Sequence, residues 1–416
     1  MLQFDPNHQF VDGIFLLKLT TPVSPSLIAM SKGIQNLSED IKALEFCTPT
    51  SGAEFENSCA FVFNNGDVFY YTLFFHQTQG SFELVIKSYQ RCVYFFLNFL
   101  KDIFSAFYDV KSAYDPNNVF NLANSLISHW PTKLEDEMDI VYSKSLITVD
   151  FSNADFSYNH YRPSYFFQPK MYSKIFNHLI SMKPILLVSP DSVIGCKSCF
   201  AAFCLLHPLR YLEPLILWLR KGDPRYIEIL NAPQKSPYLV VATDDASEIR
   251  SKFDLVLSCT EMYRPNIKAD TNFQETVKKV LLMIQQELSN LLNKNPYSDI
   301  LNLPWCGKNM EEVVKNSKFS FMPSIENLKL FEKTETVKNW RVRRTSLKLI
   351  RDSLLQCGEV KFNEMTKEQL KIIYDFLYSI KDNFEGDIHL NAVIKKHLNI
   401  VNGLLNKMNS SNVQNE

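Results

Sequence analysis

The sequence predicts a mixed α/β protein, with an N-terminal antiparallel sheet and its helices, then a module with a largely parallel sheet, then a mainly helical C-terminal part. Three observations support this fold class. Short segments rich in β-branched and aromatic residues dominate the first 110 residues. Helical and strand patterns alternate between 173 and 258, which is typical of a parallel sheet, and from residue 270 onward the patterns are helical. We therefore expect modules at 1–135, 169–265 and 266–416, with a linker at 136–168.

The N-terminal module is expected to consist of strands with one closing helix. The strand segments are FVDGIFLLKL, IKALEFC, SCAFVFNNGDVFYYTLFF and SFELVIKSYQ. Asn-Asn-Gly at 64–66 is the kind of turn that joins antiparallel strands. From Val93 to Phe107, apolar residues then recur at the spacing of an amphipathic helix. One face of this helix must lie on the sheet.

A second short helix is expected over 119–128, and the polar, proline-containing stretch after it is expected to hold one strand, SLITVDF. The central module then alternates in type. Its expected elements are a helix over 173–181, the buried strand ILLVS, a helix over 193–206, the strand YLVVAT, a short helix around ASEIR and the strand DLVLS. Such alternation favours parallel strands joined by crossovers.

Two pairs of residues in the C-terminal part have the spacing of capping boxes. They are Thr271 with Gln274 and Thr366 with Gln369. In this motif a threonine side chain and a glutamine three residues later satisfy each other's backbone donors at the start of a helix. Each pair therefore predicts the beginning of an amphipathic helix.

Composition disfavours several classes of function. The 44 Lys and Arg residues against 45 Asp and Glu give a net charge of -1, so the chain lacks the positive field of a protein that binds nucleic acid. Only 11 glycines are present, with no GxGxxG and no GxxxxGK[ST], which disfavours a self-contained nucleotide-binding enzyme. No pattern predicts a catalytic residue, a cofactor or a small-molecule substrate.

The sequence also bears on location. A membrane span needs about 20 apolar residues, and the longest apolar runs, VFYYTLFF and LEPLILWLR, are far shorter. Any contact with a membrane is therefore expected to be peripheral. The start, MLQFDPNHQF, lacks the pattern of a signal peptide, and the nine cysteines are scattered and odd in number. We expect free thiols in the reducing environment of the cytoplasm.

The stretch CKSCFAAFCLLH, from Cys196 to His207, raises the question of a zinc site. In a helix these two residues lie roughly 16 Å apart along the axis, too far to share a metal ion. The apolar interior of the stretch favours a helix packed on a sheet, with cysteine acting as a small hydrophobic residue. A redox or partial metal pair at Cys196 and Cys199 and a complete zinc site remain as alternatives, but we expect no metal.

The densest basic segment is NWRVRRTSLKLIR, at 339–351, which includes Arg341, Arg343 and Arg344. A run of charge is usually the solvated face of a helix. The alternative is a patch that binds acidic lipid headgroups or an acidic partner surface. Binding to anionic vesicles that survives charge reversal at Arg343 and Arg344 would leave only the solvated face.

The most specific stretch of the chain is ILLVSPDSVIGCKSCFAAFCLLHPLRYLEPLILWLRKGDPRY. It resembles the central segment of DENN-domain proteins, in which a buried strand ends in a Ser-Pro turn and an apolar helix follows. AFVFNNGDVFYYTLFF and SFELVIKSYQRCVYFFLNFLKDIF are similar to the upstream, longin-like module of that family. SHWP, MYSKIFNHLISMKPILLVSP and FEKTETVKNWRVRRTSLK are most similar to its compact branch, which is tied to endosomal recycling.

This resemblance implies a guanine-nucleotide exchange factor for a Rab-type small GTPase, a regulator with no covalent chemistry, recruited peripherally to endosomal membranes. A Rab effector, or a scaffold subunit of a DENN or longin complex without exchange activity, is the alternative. In the family, the GTPase switch regions dock across the first two modules. The positions here that match are Asn177, His178, Ser189, Asp191, Ser192 and Asp254.

Carboxylates at Asp191 and Asp254 would compete for switch lysines, or repel the phosphates and Mg²⁺ of the bound nucleotide. Each position also admits a simpler role in a turn or a helix cap, without partner contact. Asp191 and Ser192 in particular can cap the helix that follows them.

Overall fold

The computed structural model describes most of the chain in a set of separate ranges. They are residues 9–20, 24–31, 37–47, 58–77, 79–108, 115–132, 137–142, 145–150, 161–207, 209, 211–261, 265–277, 296–297, 300–301, 324–338, 354–355, 360–381 and 387–413. The chain divides into two compact units, Gln3–Lys278 and Lys279–Glu416. Both expected sheets lie in the first unit. The expected module boundaries remain predictions.

The N-terminal part of the first unit is a five-stranded antiparallel sheet with the order β2-β1-β5-β4-β3. Its strands are β1 Gly13–Thr20, β2 Ser24–Met30, β3 Ser58–Asn65, β4 Val68–Gln77 and β5 Gly80–Ser88. Three helices accompany it: α1 Leu37–Cys47, α2 Val93–Tyr108 and α3 Pro116–Ile127. Gly66, with φ +60°, turns the expected hairpin between β3 and β4.

Both faces of this sheet carry buried side chains. On one face lies α2, whose Phe96 ring is 4.4 Å from the ring of Tyr71 on β4. Towards the opposite face, Asp40 of α1 accepts hydrogen bonds from Lys87 Nζ (2.8 Å) and from the Tyr70 hydroxyl (2.6 Å). The prediction of a helix on the sheet is confirmed, and the polar residues Glu83 and Lys87 of β5 are buried as well.

The segment IKALEFC, predicted as a strand, belongs to helix α1, so that prediction is wrong. Asp40 and Leu44 lie four residues apart and are both buried, which is the spacing of one helix face. Because one of the two anchors is a carboxylate, the buried face does not show as an apolar period. The helix places the Asp40 carboxylate within hydrogen-bond distance of Lys87.

The expected linker contains a hairpin of two strands, β6 Glu137–Tyr142 and β7 Ser145–Asp150, where the sequence predicts one. Met138 and Ile140 of β6 are buried. Trp130 Nε1 donates a hydrogen bond of 2.7 Å to Val141 O, which ties the hairpin to the end of α3. Strand β6 has few apolar positions and follows acidic residues, so its sequence does not show the pattern of a strand.

The second sheet has four parallel strands in the order β11-β8-β10-β9. Its elements are α4 Tyr172–Ile180, β8 Ile185–Val188, α5 Ser192–Cys204, β9 Leu215–Leu219, α6 Pro224–Asn231, β10 Val240–Thr243 and β11 Leu255–Ser258, and a helix over 267–277 follows as α7. The structure confirms the predicted buried strand, β8, as an interior strand, and the predicted apolar helix, α5, as a helix packed across the sheet.

Three details of the central part differ from the prediction. Strand β9 and helix α6 are additional elements, and α6 begins with Asp223, which accepts a hydrogen bond from Arg225 N as an N-cap. The short helix expected around 246–250 is a 3₁₀ turn at Arg250–Lys252. Thr271 lies inside α7 and donates to Ile267 O, so it does not open a helix.

The second unit is helical where it is described, with α8 Ile325–Glu332, α9 Lys367–Ile380 and α10 Ile388–Val413. Apolar faces of α9 and α10 form its core. Thr366 and Gln369 form the predicted capping box at the start of α9, with hydrogen bonds of 3.3 and 3.0 Å. Among the described helices, none combines the length and the apolar character that a membrane crossing requires.

Candidate functional site

The structure places the six predicted GTPase-binding residues at opposite ends of the strands of the parallel sheet. We call the side where the strands begin the starting edge and the side where they end the finishing edge. Asn177, His178 and Asp254 lie at the edge where the strands begin. Asp254 N donates a 2.9 Å hydrogen bond to Pro184 O, just before β8, and Lys183 N donates one of the same length to His178 O. The chain therefore brings the end of α4 and the start of β11 to the same edge.

Ser189, Asp191 and Ser192 lie at the edge where the strands end. Ser189 N donates a 2.9 Å hydrogen bond to Thr243 O, at the end of β10. Since β8 has four residues at about 3.3 Å each, roughly 10 to 15 Å of strand separates the two groups. The six residues therefore form two clusters.

The cluster at the starting edge contains charges of both signs. Asp254 Oδ1 is 3.1 Å from Lys235 Nζ, and both side chains are partly exposed. His178 donates from Nδ1 to Lys174 O at 2.8 Å. Partial burial lowers the pKa of His178, and the nearby lysines act in the same direction, against the hydrogen bond to Lys174 O and the charge of Asp254. His178 is thus a neutral group at neutral pH.

Asn177 adds an unusual feature to this edge. Its Oδ1 atom is buried and has no hydrogen-bond partner among the described residues. A buried amide oxygen without a partner carries a desolvation cost. The side chain is only partly buried as a whole, so it lies at the margin between the core and the surface.

The cluster at the finishing edge is organised by the start of α5. Asp191 Oδ1 accepts a 2.8 Å hydrogen bond from Ile194 N, so Asp191 is the N-cap of the helix. Ser189 Oγ donates to Asp191 O at 3.1 Å. Ser189 and Ser192 are 3% and 2% exposed, which leaves Asp191 as the more accessible member. The structural role expected for Asp191 is present, while GTPase contact at all six positions remains a prediction.

The cysteine-rich stretch is confirmed as a buried helix. Cys196, Cys199 and Cys204 all lie on α5 and are at most 2% exposed, and His207 follows the end of the helix. Burial raises the pKa of Cys196 to about 12 and that of Cys199 well above its ordinary value. These thiols are therefore protonated and unreactive. In the part of the chain that the structure describes, no three His, Cys, Asp or Glu side chains are placed to share a metal ion.

Arg341, Arg343 and Arg344 lie outside the described residues. Their proposed contact with acidic lipids or an acidic partner remains a prediction. The vesicle-binding comparison given above for Arg343 and Arg344 still tests it.

The junction between the two sheets is built on Asn64 and was not predicted from the sequence. Asn64 Nδ2 donates to Leu215 O (3.0 Å), and its Oδ1 accepts from Leu217 N (2.9 Å). The amide thus hydrogen-bonds to the free edge of β9 as a neighbouring strand would. Arg225, which is paired with Asp223, donates to Asn64 O at 2.7 Å and reinforces the contact.

A second contact across the junction involves Arg91, which lies over Phe69, the residue paired with Asn64 in the antiparallel sheet. Arg91 Nη1 donates to Tyr211 O at 3.1 Å, and the Arg91 guanidinium lies 5.2 Å from the centroid of the Phe69 ring. Together with Asn64, it fixes the antiparallel sheet against the parallel one. In the sequence Asn64 is recognisable only as a turn residue, because its hydrogen-bond partners across the junction lie more than 150 residues away.

The chain matches no protein-family profile and no curated protein sequence.

Proposed function

We propose that this protein binds a Rab-type small GTPase and promotes the release of GDP from it, at endosomal membranes to which it is recruited peripherally. The resemblance to DENN-domain proteins supports the proposal, as does the order of antiparallel, parallel and helical parts along the chain. The observation that carries it is the junction at Asn64, which makes a single body of the two sheets.

Nucleotide exchange depends on differential affinity. A GTPase that holds GDP at nanomolar to picomolar affinity has about 12 to 16 kcal/mol of binding free energy, which the exchange factor must offset. It does so by binding the nucleotide-free form more tightly than the GDP form. If the two sheets moved independently, part of the binding free energy would be used to fix them relative to each other, and the difference in affinity would be smaller. Hydrogen bonds from Asn64 and Arg91 across the junction remove that cost in advance.

The two clusters of predicted residues are compatible with one partner. A standard interface buries about 800 Å² on each protein, which corresponds to a footprint roughly 30 Å across. Such a footprint spans the strand length that separates Asp254 from Asp191. Both carboxylates would then lie within reach of the switch regions, one at each edge of the sheet.

A panel of Rab-type GTPases loaded with fluorescent GDP tests the proposal. We expect at least one member to release its nucleotide at least about tenfold faster in the presence of the full chain. Preferential binding to a GTP-loaded member without faster release would identify an effector instead. A stable hetero-oligomer with another chain, again without faster release, would identify a scaffold subunit.

A further inference from the structure

A cavity of about 240 Å³ opens between α2, α5 and the 3₁₀ turn Pro163–Tyr165. The described residues that line it all belong to the first compact unit. Its floor includes Ala60 of β3, the edge strand of the antiparallel sheet. The lining therefore shares strand β3 with the junction and includes none of the six residues of the two clusters described above.

Among the residues that the structure describes, three with cationic side chains line this cavity: Lys101, Arg162 and Lys197. None of them forms an ion pair with a residue that the structure describes. Partial burial lowers the pKa of Lys101, and the positive charge of Lys197 lowers it further, against a smaller opposite effect of Asp102. The two ammonium groups therefore repel each other across a partly desolvated space, where charges interact more strongly than in water. An anion between them would relieve this repulsion.

The rest of the lining offers hydrogen bonds to hydroxyl groups. Asn98 and Glu261 contribute an amide and a carboxylate. The Tyr161 ring packs against Phe200 of α5 at 5.4 Å, which gives the cavity a rigid aromatic wall. Carboxylates accept from hydroxyls and do not favour phosphate, so Glu261 suits a ligand that carries both groups.

We propose that this cavity binds a phosphorylated polyol, with Lys101, Arg162 and Lys197 holding its phosphate groups and Asn98 and Glu261 its hydroxyls. The volume is below the range of about 300 to 1,000 Å³ that is usual for drug-sized ligands, which fits a single phosphorylated ring. Such a group occurs free in solution and as a lipid headgroup. The proposal is independent of GTPase binding.

Two binding assays separate these sources. Inositol 1,4,5-trisphosphate, titrated calorimetrically into the full chain, tests the soluble form. Sedimentation with phosphatidylcholine vesicles that contain phosphatidylinositol 4,5-bisphosphate tests the headgroup, against vesicles of matched charge made with phosphatidylserine. We expect binding in at least one assay, and preference for the phosphoinositide over phosphatidylserine in the second.

The variants Lys101→Gln and Lys197→Gln identify the site. Each should weaken binding by about tenfold or more, since a charge-assisted contact to phosphate is lost. Neither should lower the melting temperature, because each removes a repulsion in the unliganded protein. Lys170→Gln, at an exposed lysine outside the cavity, is the matched control and should bind as the wild type does.

Three results would overturn the proposal. The first is no binding of either probe up to about 1 mM. The second is unchanged binding by both lysine variants. The third is binding of an acidic peptide, lost in the same variants, with no binding of the phosphorylated probes, which would assign the cavity to a protein partner.

Discussion

Gly195 of α5 lies directly against the indole ring of Trp218 on β9. A Cβ atom at position 195 would be 2.7 Å from two carbons of that ring and 3.2 Å from the Cβ of Ala242. A register shift in the pairing of β9 with β10 accompanies this contact. With this shift, Leu219 packs in the core on the side of α6, while Trp218 packs against Gly195 of α5. The helix and the sheet approach each other at this glycine.

Substitution of this glycine should therefore destabilise the protein despite its helical position. We expect Gly195→Ala to lower the free energy of unfolding by about 1 to 3 kcal/mol through overpacking. Gly403→Ala, on α10 with nothing within 4 Å, should raise it by up to about 1 kcal/mol. Urea unfolding measures both. Equal effects of the two substitutions would contradict the close contact at Trp218.

Asn64 allows a test of the junction. Asn64→Ala leaves Leu215 O and Leu217 N without their partner at a buried edge, so the free energy of unfolding should fall by about 2 to 4 kcal/mol. Asn65→Ala is the matched control, because Asn65 is adjacent and exposed. If the two variants unfold at the same urea concentration, the side chain of Asn64 does not stabilise the junction.

Glu83 of β5 should make the stability depend on pH. It is 1% exposed, and burial raises its pKa from 4.5 to about 8, against a smaller opposite effect of Arg220. The folded state therefore keeps a proton that the unfolded state loses, and the free energy of unfolding falls as pH rises between these two values.

The variant Glu83→Gln removes this titration while keeping the size of the side chain. Relative to the wild type, its free energy of unfolding should rise by up to about 4 kcal/mol from about pH 5 to about pH 8. Glu39→Gln, at an exposed site on α1, is the matched control for the loss of an exposed carboxylate. Parallel curves for Glu83→Gln and the wild type would show that Glu83 titrates normally in the folded state.

The proposed role of Asp191 in exchange can be separated from its role as an N-cap. Asparagine caps a helix about as well as aspartate, so Asp191→Asn should keep the fold and remove only the charge. We expect nucleotide release to slow by about tenfold with the responsive GTPase. Asp115→Asn, at the N-cap of α3, is the matched control and should not change the rate.

Charge reversal at Asp191 would not give this separation, because lysine cannot accept the hydrogen bond from Ile194 N. Unaltered exchange in Asp191→Asn, with the same melting temperature as the wild type, would leave Asp191 with a structural role alone.

Predictions from the sequence held where the signal is local. The period of α2, the turn at Gly66 and the capping box at Thr366 depend on residues a few positions apart. They failed for α1, where the buried face is marked by Asp40, a residue whose partner Lys87 lies 47 positions away. A polar residue in a core has no local signature, since only its partner makes burial favourable.

The candidate sites show the same division. The sequence predicted the strand end and the helix start around Asp191, but not which strand brings Asp254 next to β8. Strand order decides this, because β11 pairs with β8 and thereby places Asp254 beside the residues that precede β8. Likewise, the cations of the cavity are separated in the chain by up to 96 positions, as Lys101 and Lys197 are.

The sequence by itself determined the class of most long elements, though not of α1, together with the mixed α/β architecture and the burial of the cysteines on α5, because hydrophobic period and turn chemistry act over a few residues. Tertiary structure alone decided which side chains meet: Asn64 with β9, Gly195 with Trp218, and Lys101 with Lys197. These contacts depend on how sheets and helices pack, and packing sets both the space and the electrostatic environment of every buried group.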